Sequence, residues 1–316
     1  MQPKPFPIPV NYFSIVLGTS ALGLAWRYGS SIGLFSAVIG ESIIALACLI
    51  WLVLMVVYGY KWTKYPEQAK AELLHPITGC FVSLVPITTL LICLGIRPHF
   101  SGLSDLLMTF GIAGQLVFSM SFTARLWRGS HPTEATTPAL YLPTVATNFV
   151  SAIALGNIGQ TDFGMLFLGA GIFSWLFIDG AIQQRLRNHP EVAHGARPAL
   201  GVQFAPAIVG CSAYLAVNGG DIDTFAKLLI GYSLLQLLFL ARLFPWIAQH
   251  GTSLGYWAFS FGFASMASVG LRVYHTFPQQ AFGSFGLGMF AFGTLMIVLL
   301  SAYTFWLIAK GKFLIR

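Results

Sequence analysis

Ten apolar stretches divide the chain, near residues 11–26, 32–60, 77–96, 102–127, 138–157, 161–184, 199–217, 222–249, 252–275 and 280–309. Most approach or exceed the ~20 residues that a helix needs to cross a hydrocarbon core. They lack the period-two alternation of membrane barrel strands. Lipid otherwise accepts only segments that satisfy their own backbone hydrogen bonds, which means helices. The pattern therefore predicts an all-α polytopic membrane protein. Connections within successive pairs are short, as from Arg27 to Ser31, and those between pairs are often longer and more charged. That rhythm reads as five helical hairpins in a single transmembrane domain spanning residues 1–316. Ahead of them, prolines at 3, 5, 7 and 9 keep residues 1–10 out of a helix. This arm has no apolar core or cleavage site of a signal peptide and is expected to lie extended at the interface.

The odd-numbered stretches repeat a feature. Pro86, Pro143 and Pro206 each sit inside an apolar run, with Gly262 at the comparable place in the ninth stretch and Val16 in the first. Positions 16, 86, 143, 206 and 262 are 70, 57, 63 and 56 residues apart. A period near 60 residues with two helices per unit signals internal repetition, which is common in transport proteins. A proline inside a helix removes a backbone hydrogen bond and kinks it, so the expectation is a shared bend in the odd helices. The plainer alternative is that proline is simply frequent in membrane helices.

The ninth stretch alternates Phe259, Phe261 and Phe263 with Ser260 and Gly262. A mid-helix glycine marks close packing, a bend or a gap. The rings beside it could plug a path through the membrane or face lipid, and the pattern alone leaves both open.

Composition agrees with the membrane reading. Of 316 residues 56% are hydrophobic and 9% charged, against roughly 25% charged in soluble domains. The longest polar stretches, about 15 residues, leave no room for a soluble domain. Four cysteines (Cys48, Cys80, Cys93, Cys211) lie inside apolar runs and suggest buried small side chains, with no C-x-x-C pair. The seven histidines show no H-E-x-x-H spacing, and neither a Walker loop nor a G-x-S-x-G motif occurs. The chain is accordingly not expected to be an enzyme, and neither catalytic residues, a metal, a cofactor nor a nucleic-acid partner is expected.

The net charge of +7 is distributed unevenly. Lys4, Lys61, Lys64, Lys70, Arg125, Arg128, Arg185, Arg187, Arg197, Arg242, Lys310, Lys312 and Arg316 fall on one side of the alternating spans. Only Arg27, Arg97 and Arg272 fall on the other. Basic residues favour the cytoplasmic side, which places both termini there. The odd stretches hold hydroxyls and an amide (Ser14, Thr19, Thr88, Thr89, Thr144, Thr147, Asn148, Ser212, Ser260, Ser265) but no mid-span charge. The even stretches hold Glu41, Asp105, Asp179 and Lys227. Glu41, some ten residues into its stretch, is the candidate intramembrane acid, which at the bilayer centre costs at least ~2.5 kcal/mol unless paired or protonated. Asp179 reads as an end-of-helix charge. Asp221 and Asp223 read as caps of the eighth stretch, with Lys227 at ion-pair spacing from Asp223.

Several runs resemble the tellurite-resistance/dicarboxylate transporter family, which includes bacterial tellurite-resistance proteins and the plant guard-cell slow anion channels. They are Lys4-Pro-Phe-Pro-Ile-Pro9 with Tyr12-Phe13, Leu84-Val-Pro-Ile-Thr-Thr89, Tyr141-Leu-Pro-Thr-Val-Ala-Thr-Asn-Phe149, Arg242-Leu-Phe-Pro-Trp246 and Trp257-Ala-Phe-Ser-Phe-Gly-Phe-Ala-Ser-Met-Ala267. The resemblance covers essentially the whole chain. It implies ten helices in quasi-five-fold symmetry, with the odd helices around a central pore in each subunit of a homotrimer. It also implies passage of small inorganic anions or dicarboxylates across the bacterial inner membrane, and a pore occluded by a phenylalanine that maps to Phe261, with Phe259 as the competing position. Phe13, Ser14, Pro86, Pro143, Pro206 and Gly262 become the expected pore-lining or bend positions. Where the family has Tyr-Phe-Gly-Ile-Pro, this chain has Tyr12-Phe13-Ser14-Ile15-Val16, so a straighter, more crowded first helix is expected. The competing reading is a proton-coupled exporter of C4-dicarboxylates or tellurium oxyanions with Glu41 carrying the proton. Small residues at Gly283, Gly286 and Gly288 would permit close helix packing.

Overall fold

The apolar stretches fold as helices in the computed structural model, which describes residues 6–129, 131–249, 251 and 253–314. Pro3, Lys4, Pro5, His250 and Arg316, used above, lie outside the described residues. In order the helices are α1 (Phe13–Ser31), α2 (Ala37–Lys64), α3 (Pro66–Leu74), α4 (Thr78–Ile96), α5 (Ser101–Leu126), α6 (Pro138–Asn157), α7 (Thr161–Asn188), α8 (His194–Val217), α9 (Thr224–Ile247), α10 (Leu254–Thr276) and α11 (Ala281–Ala309). There is no strand among the described residues. Nine of these helices are long and apolar enough to span a membrane. The 19-residue α1 is long enough but more polar, carrying Ser14, Thr19, Ser20 and Arg27. The short α3, rich in Glu and Gln, was not foreseen.

Helices pair as α1/α2, α4/α5, α6/α7, α8/α9 and α10/α11. The first members also pack on one another: α1 on α4, α4 on α6, α6 on α8, α8 on α10, and α10 back on α1. That closes a ring. In four of the ring helices 72–83% of the apolar stretch is buried, against 17–28% in the five outer helices. The outer helices turn side chains such as Leu49, Phe110, Phe177, Leu238 and Leu299 outward, as lipid-facing surfaces do.

The sequence repeat has a structural counterpart. Every ring helix starts irregularly and turns α-helical partway. Val10–Tyr12 is 3₁₀ ahead of α1, Thr78–Ser83, His194–Phe204 and Leu254–Phe259 are 3₁₀, and Leu142–Ala146 is a π stretch in α6. Regular α-helix begins at Phe13, Leu84, Thr147, Ala205 and Ser260. Pro86 and Pro206 occupy the first turn of the α-helical part, directly after the 3₁₀ stretch that leads into it. They mark where the helix type changes and do not kink an α-helix from within. Pro143 lies in the π stretch, and its carbonyl accepts from Thr147 Oγ1 at 2.8 Å and from Ser119 Oγ of α5.

Gly262 sits at a close contact between ring helices. A Cβ there would run into the ring of fully buried Phe204 from α8, so its role is close packing. Gly286 is packed against the backbone of α10 at Gly270 and Tyr274, and Gly283 against Phe277 and Pro278, whereas nothing approaches Gly288. The small-residue pattern therefore joins α11 to its own hairpin partner.

The largest boundary difference is at α2. Gly33 takes a left-handed φ of +78° in the turn, and Ser36 caps the helix by accepting from Val38 N. Residues 32–36, the first five of the expected stretch, thus form the connection, which moves Glu41 to the fifth position of α2. At the arm, Val10 N donates to Glu72 Oε1 at 3.0 Å and Phe6 N to Gln68 Oε1 at 2.7 Å. Glu72 also pairs with buried Lys61 at 2.7 Å. The α3 helix is thus the anchor of the N-terminal arm.

Candidate ion pathway

Two cavities lie within the ring, and each is lined by all five ring helices. The smaller, about 30 Å³, has room for little beyond a water-sized occupant. It is walled by Ser14 and Leu17 of α1, Phe81 and Leu84 of α4, Tyr141, Val145 and Phe149 of α6, Val202, Pro206 and Val209 of α8, and Trp257 and Ala258 of α10. The larger, about 420 Å³, is walled by Leu24, Arg27 and Tyr28, then Leu94 and Arg97, Ile153 and Asn157, Ser212 and Ala216, and Ser265, Ser268 and Arg272. Phe261 is the side chain common to both walls.

The three phenylalanines of α10 therefore separate. Phe259 and Phe263 stack on each other at 6.0 Å and line a cleft of about 630 Å³ that opens outward between α9 and α11. Phe261 points the opposite way, to the ring interior, and is 5% exposed. It has no ring partner among the described residues, whereas Phe259 and Phe263 are both held against Phe204. The backbone beneath Phe261 is fixed nonetheless. Trp257 Nε1 donates to Thr304 Oγ1 of α11 at 2.8 Å, and Ser260 Oγ donates to the Ser14 carbonyl at 3.1 Å.

Of the other positions expected to line a pore, Ser14 and Pro206 face the small cavity. Phe13 does not; it is buried against Tyr58 of α2, edge to face at 6.1 Å. Pro86 faces an outer trench between α2 and α5, and Pro143 and Gly262 line neither axial cavity. In α1 the Ser14 hydroxyl turns back onto the Asn11 carbonyl at 2.6 Å, and buried Val16 holds the place of the family's proline. The helix keeps a 3₁₀ entry of only three residues.

Many of the hydroxyls are already engaged. Thr19, Thr88, Thr89 and Thr147 donate to carbonyls four residues back in their own helices at 2.7–2.8 Å, and Asn148 does likewise. Ser212, Ser265 and Ser268 line the larger cavity with no hydrogen-bond partner among the described residues.

The three basic residues of the sparsely charged side converge on the larger cavity, which linear reading used only to assign orientation. Arg27 is clamped by Glu41, Nε to Oε1 at 2.6 Å and Nη2 to Oε2 at 2.8 Å, and donates to the Leu94 and Gly95 carbonyls. His99 Nε2 meets the same carboxylate at 3.0 Å. Arg97 pairs with Asp105 at 2.5 Å. Arg272 stands over the Tyr28 ring at 4.7 Å and has no carboxylate within ion-pair distance among the described residues. No Asp or Glu lines the cavity. Its wall is therefore net positive, and a low-dielectric surround focuses that potential on anions. Glu41 is a paired acid near the end of α2, not a lone one at mid-membrane.

Of two other acids, one differs from expectation. Asp179 accepts from Tyr141 Oη at 2.5 Å and from Gln203 Nε2 at 3.1 Å, tying α7 to the irregular starts of α6 and α8. Asp223 caps α9 as expected, accepting from Ala226 N at 2.9 Å. These contacts, with the Tyr214 hydroxyl at 2.5 Å, hold its carboxyl below the ordinary aspartate pKa. Lys227 stacks over Phe277 at 5.5 Å and is not within ion-pair distance of Asp223. The cysteines are free, with Cys80, Cys93 and Cys211 buried.

Comparison with known proteins places this geometry. Residues 7–305 match the family model described as voltage-dependent anion channel. The chain is 39% identical over 314 residues to the tellurite resistance protein TehA homolog of Haemophilus influenzae, covering 99% of this chain and 94% of that one. It is 23% identical over 278 residues to the S-type anion channel SLAH2 of Arabidopsis thaliana, covering 84% and 52%. It is 20% identical over 303 residues to an uncharacterized transporter of Methanocaldococcus jannaschii, covering 89% of each. This is a family of channels and transporters and not of enzymes, and the chain, a multi-pass membrane protein, belongs to it: the voltage-dependent anion channel family.

Proposed function

We propose that the protein is a gated channel that passes small anions along the axis of its helix ring, and that Phe261 is the occluding side chain. The observation that carries this reading is the placement of Phe261 in the walls of both axial cavities. A ring at that point fills the lumen and excludes water, so an ion would have to shed its hydration against an apolar face. Lacking a ring partner, Phe261 can move without breaking the Phe204–Phe259–Phe263 cluster.

Selection would rest on Arg272 and the unengaged serines of the larger cavity, with no acid to repel anions. By likeness to its relatives the channel would act in tellurite resistance, as a homotrimer of the bacterial inner membrane with both termini cytoplasmic, five hairpins per subunit standing in quasi-five-fold order. Proton-coupled export of C4-dicarboxylates or tellurium oxyanions is less well supported. The carboxylate of Glu41 is occupied by Arg27 and His99 and lines neither cavity.

Phe261→Ala in planar bilayers should raise anion current roughly tenfold or more, equivalent to at least ~1.4 kcal/mol off the barrier. The current should reverse at the anion equilibrium potential, with no dependence on a proton gradient. A folded Phe261→Ala protein that stays as silent as the parent would overturn the assignment.

A further inference from the structure

Outside the ring, an apolar trench of about 610 Å³ runs between α2 and α5, floored by Val82, Val85 and Pro86 of α4 and walled by Phe110, Val117 and Phe118 of α5. At one end it meets a second hollow of about 170 Å³ containing His131 and Pro132. Phe122 and Arg125 line both, so the two are continuous. Arg125 donates to the Leu73 carbonyl at 3.2 Å and lies over the Phe122 ring at 5.1 Å, with no carboxylate within ion-pair distance among the described residues. His131 Nε2 is shielded from solvent and has no hydrogen-bond partner among the described residues. Burial pulls that imidazole below its ordinary pKa, against a backbone hydrogen bond at Ala135 and with the Arg125 charge adding to the lowering. Trp62 and Tyr58 stand edge to face at 6.3 Å along the trench wall, the residue types that collect at headgroup level.

We infer that this trench and hollow form a binding site for one anionic phospholipid. An acyl chain lies along α5, and the headgroup phosphate sits between Arg125 and His131. A cationic end joined to an apolar channel in a membrane-facing surface matches that ligand's two halves. A second copy of this chain fits less well, because with 17 Lys and Arg against 10 Asp and Glu it has few acids to offer Arg125. The occupant would brace α4 where its helix type changes. Phe81 and Leu84, on the opposite side of that same segment, line the small axial cavity.

The test uses the full chain purified in detergent, with thermal unfolding followed as short-chain phosphatidylglycerol, short-chain phosphatidylcholine or inorganic phosphate is added, and lipid retention read by native mass spectrometry. Phosphatidylglycerol should raise the midpoint by several degrees and phosphatidylcholine clearly less. Arg125→Gln should reduce the phosphatidylglycerol shift to the phosphatidylcholine level. Gly114→Leu fills the trench without touching the hollow, and its Cβ meets Pro86 only at an ordinary 3.7 Å. It should keep the unliganded midpoint and retain several-fold less of either lipid. Equal shifts from the two lipids, or an unchanged phosphatidylglycerol shift in Gly114→Leu, would overturn the site. So would reproduction of the shift by inorganic phosphate alone, which would reduce it to a free-anion pocket. A change of oligomeric mass in Gly114→Leu would assign the trench to contact between copies.

Discussion

Arg272 and Arg27 border the same cavity but stand in different electrostatic positions. The Arg27 charge is offset by a bidentate carboxylate, whereas Arg272 rests on an aromatic face that leaves its charge to the cavity. Two unit charges ~8 Å apart in water interact by about 0.5 kcal/mol, which is roughly a two- to threefold change in local anion concentration. Arg272→Gln in an open Phe261→Ala background should therefore lower anion current by roughly that factor at 0.01 M salt, where the Debye length is ~30 Å, and by little at ~1 M. Conductance measured at the two ionic strengths checks this, and equal loss at both would point to altered geometry instead of lost charge. Arg27→Gln should behave differently, lowering the unfolding midpoint because Glu41 loses its main partner. None of this was legible in the chain, where Arg27, Arg97 and Arg272 are scattered among distant segments and only the closing of the ring brings them together. The residue pattern alone did not choose among three phenylalanines either, and only the family resemblance pointed to Phe261. Residues 259, 261 and 263 have the same chemistry, and which one faces the axis depends on where 3₁₀ gives way to α-helix.

At the level of elements, the sequence showed the hairpins and which of their members differ, but misread how the difference works. Apolar runs mark inner and outer helices alike, because lipid and protein interior are both apolar. The hydroxyls and prolines of the odd segments were the signal that separated them. Pro86 and Pro206 lie at the junction between helix types, which α1 and α10 also have without a proline, and that changes the expected cost of removing them. A proline replaced inside an α-helix would restore a hydrogen bond, in a setting where the residue costs ~3 kcal/mol. Pro206 instead follows directly on a 3₁₀ stretch, where hydrogen-bond geometry is poorer and less would be regained. Pro206→Ala should therefore shift the thermal midpoint of the detergent-solubilised protein only slightly. Gly262→Ala should lower it markedly. Its Cβ would come within 2.7 Å of Phe204 Cε1, and Phe204 is fully buried among other rings. Overpacking of this kind costs about 1–3 kcal/mol. Gly288→Ala, with nothing near it, is the matched control and should be neutral or slightly stabilising. If Gly262→Ala proves as mild as Gly288→Ala, the glycine is not needed for packing and the bend reading returns.

At the level of the whole molecule, five helices of one chain close a ring, from α1 round to α10 and back, and each of them lines both axial cavities. A pathway complete within one chain makes a specific prediction whatever the number of subunits. If wild-type and Phe261→Ala chains are co-expressed at known ratios and reconstituted together, anion current should rise in direct proportion to the fraction of Phe261→Ala chains. A pathway built between subunits would give a different curve. Current would follow a higher power of that fraction if every subunit had to open, and would saturate early if one open subunit released the rest. Single-channel records sharpen the distinction. Mixed assemblies should show unit conductance steps equal to those of the pure variant and differ only in how many steps each assembly displays. Intermediate step sizes that vary with subunit ratio would mean that neighbouring chains share the lumen, and would count against the axial cavities as the route.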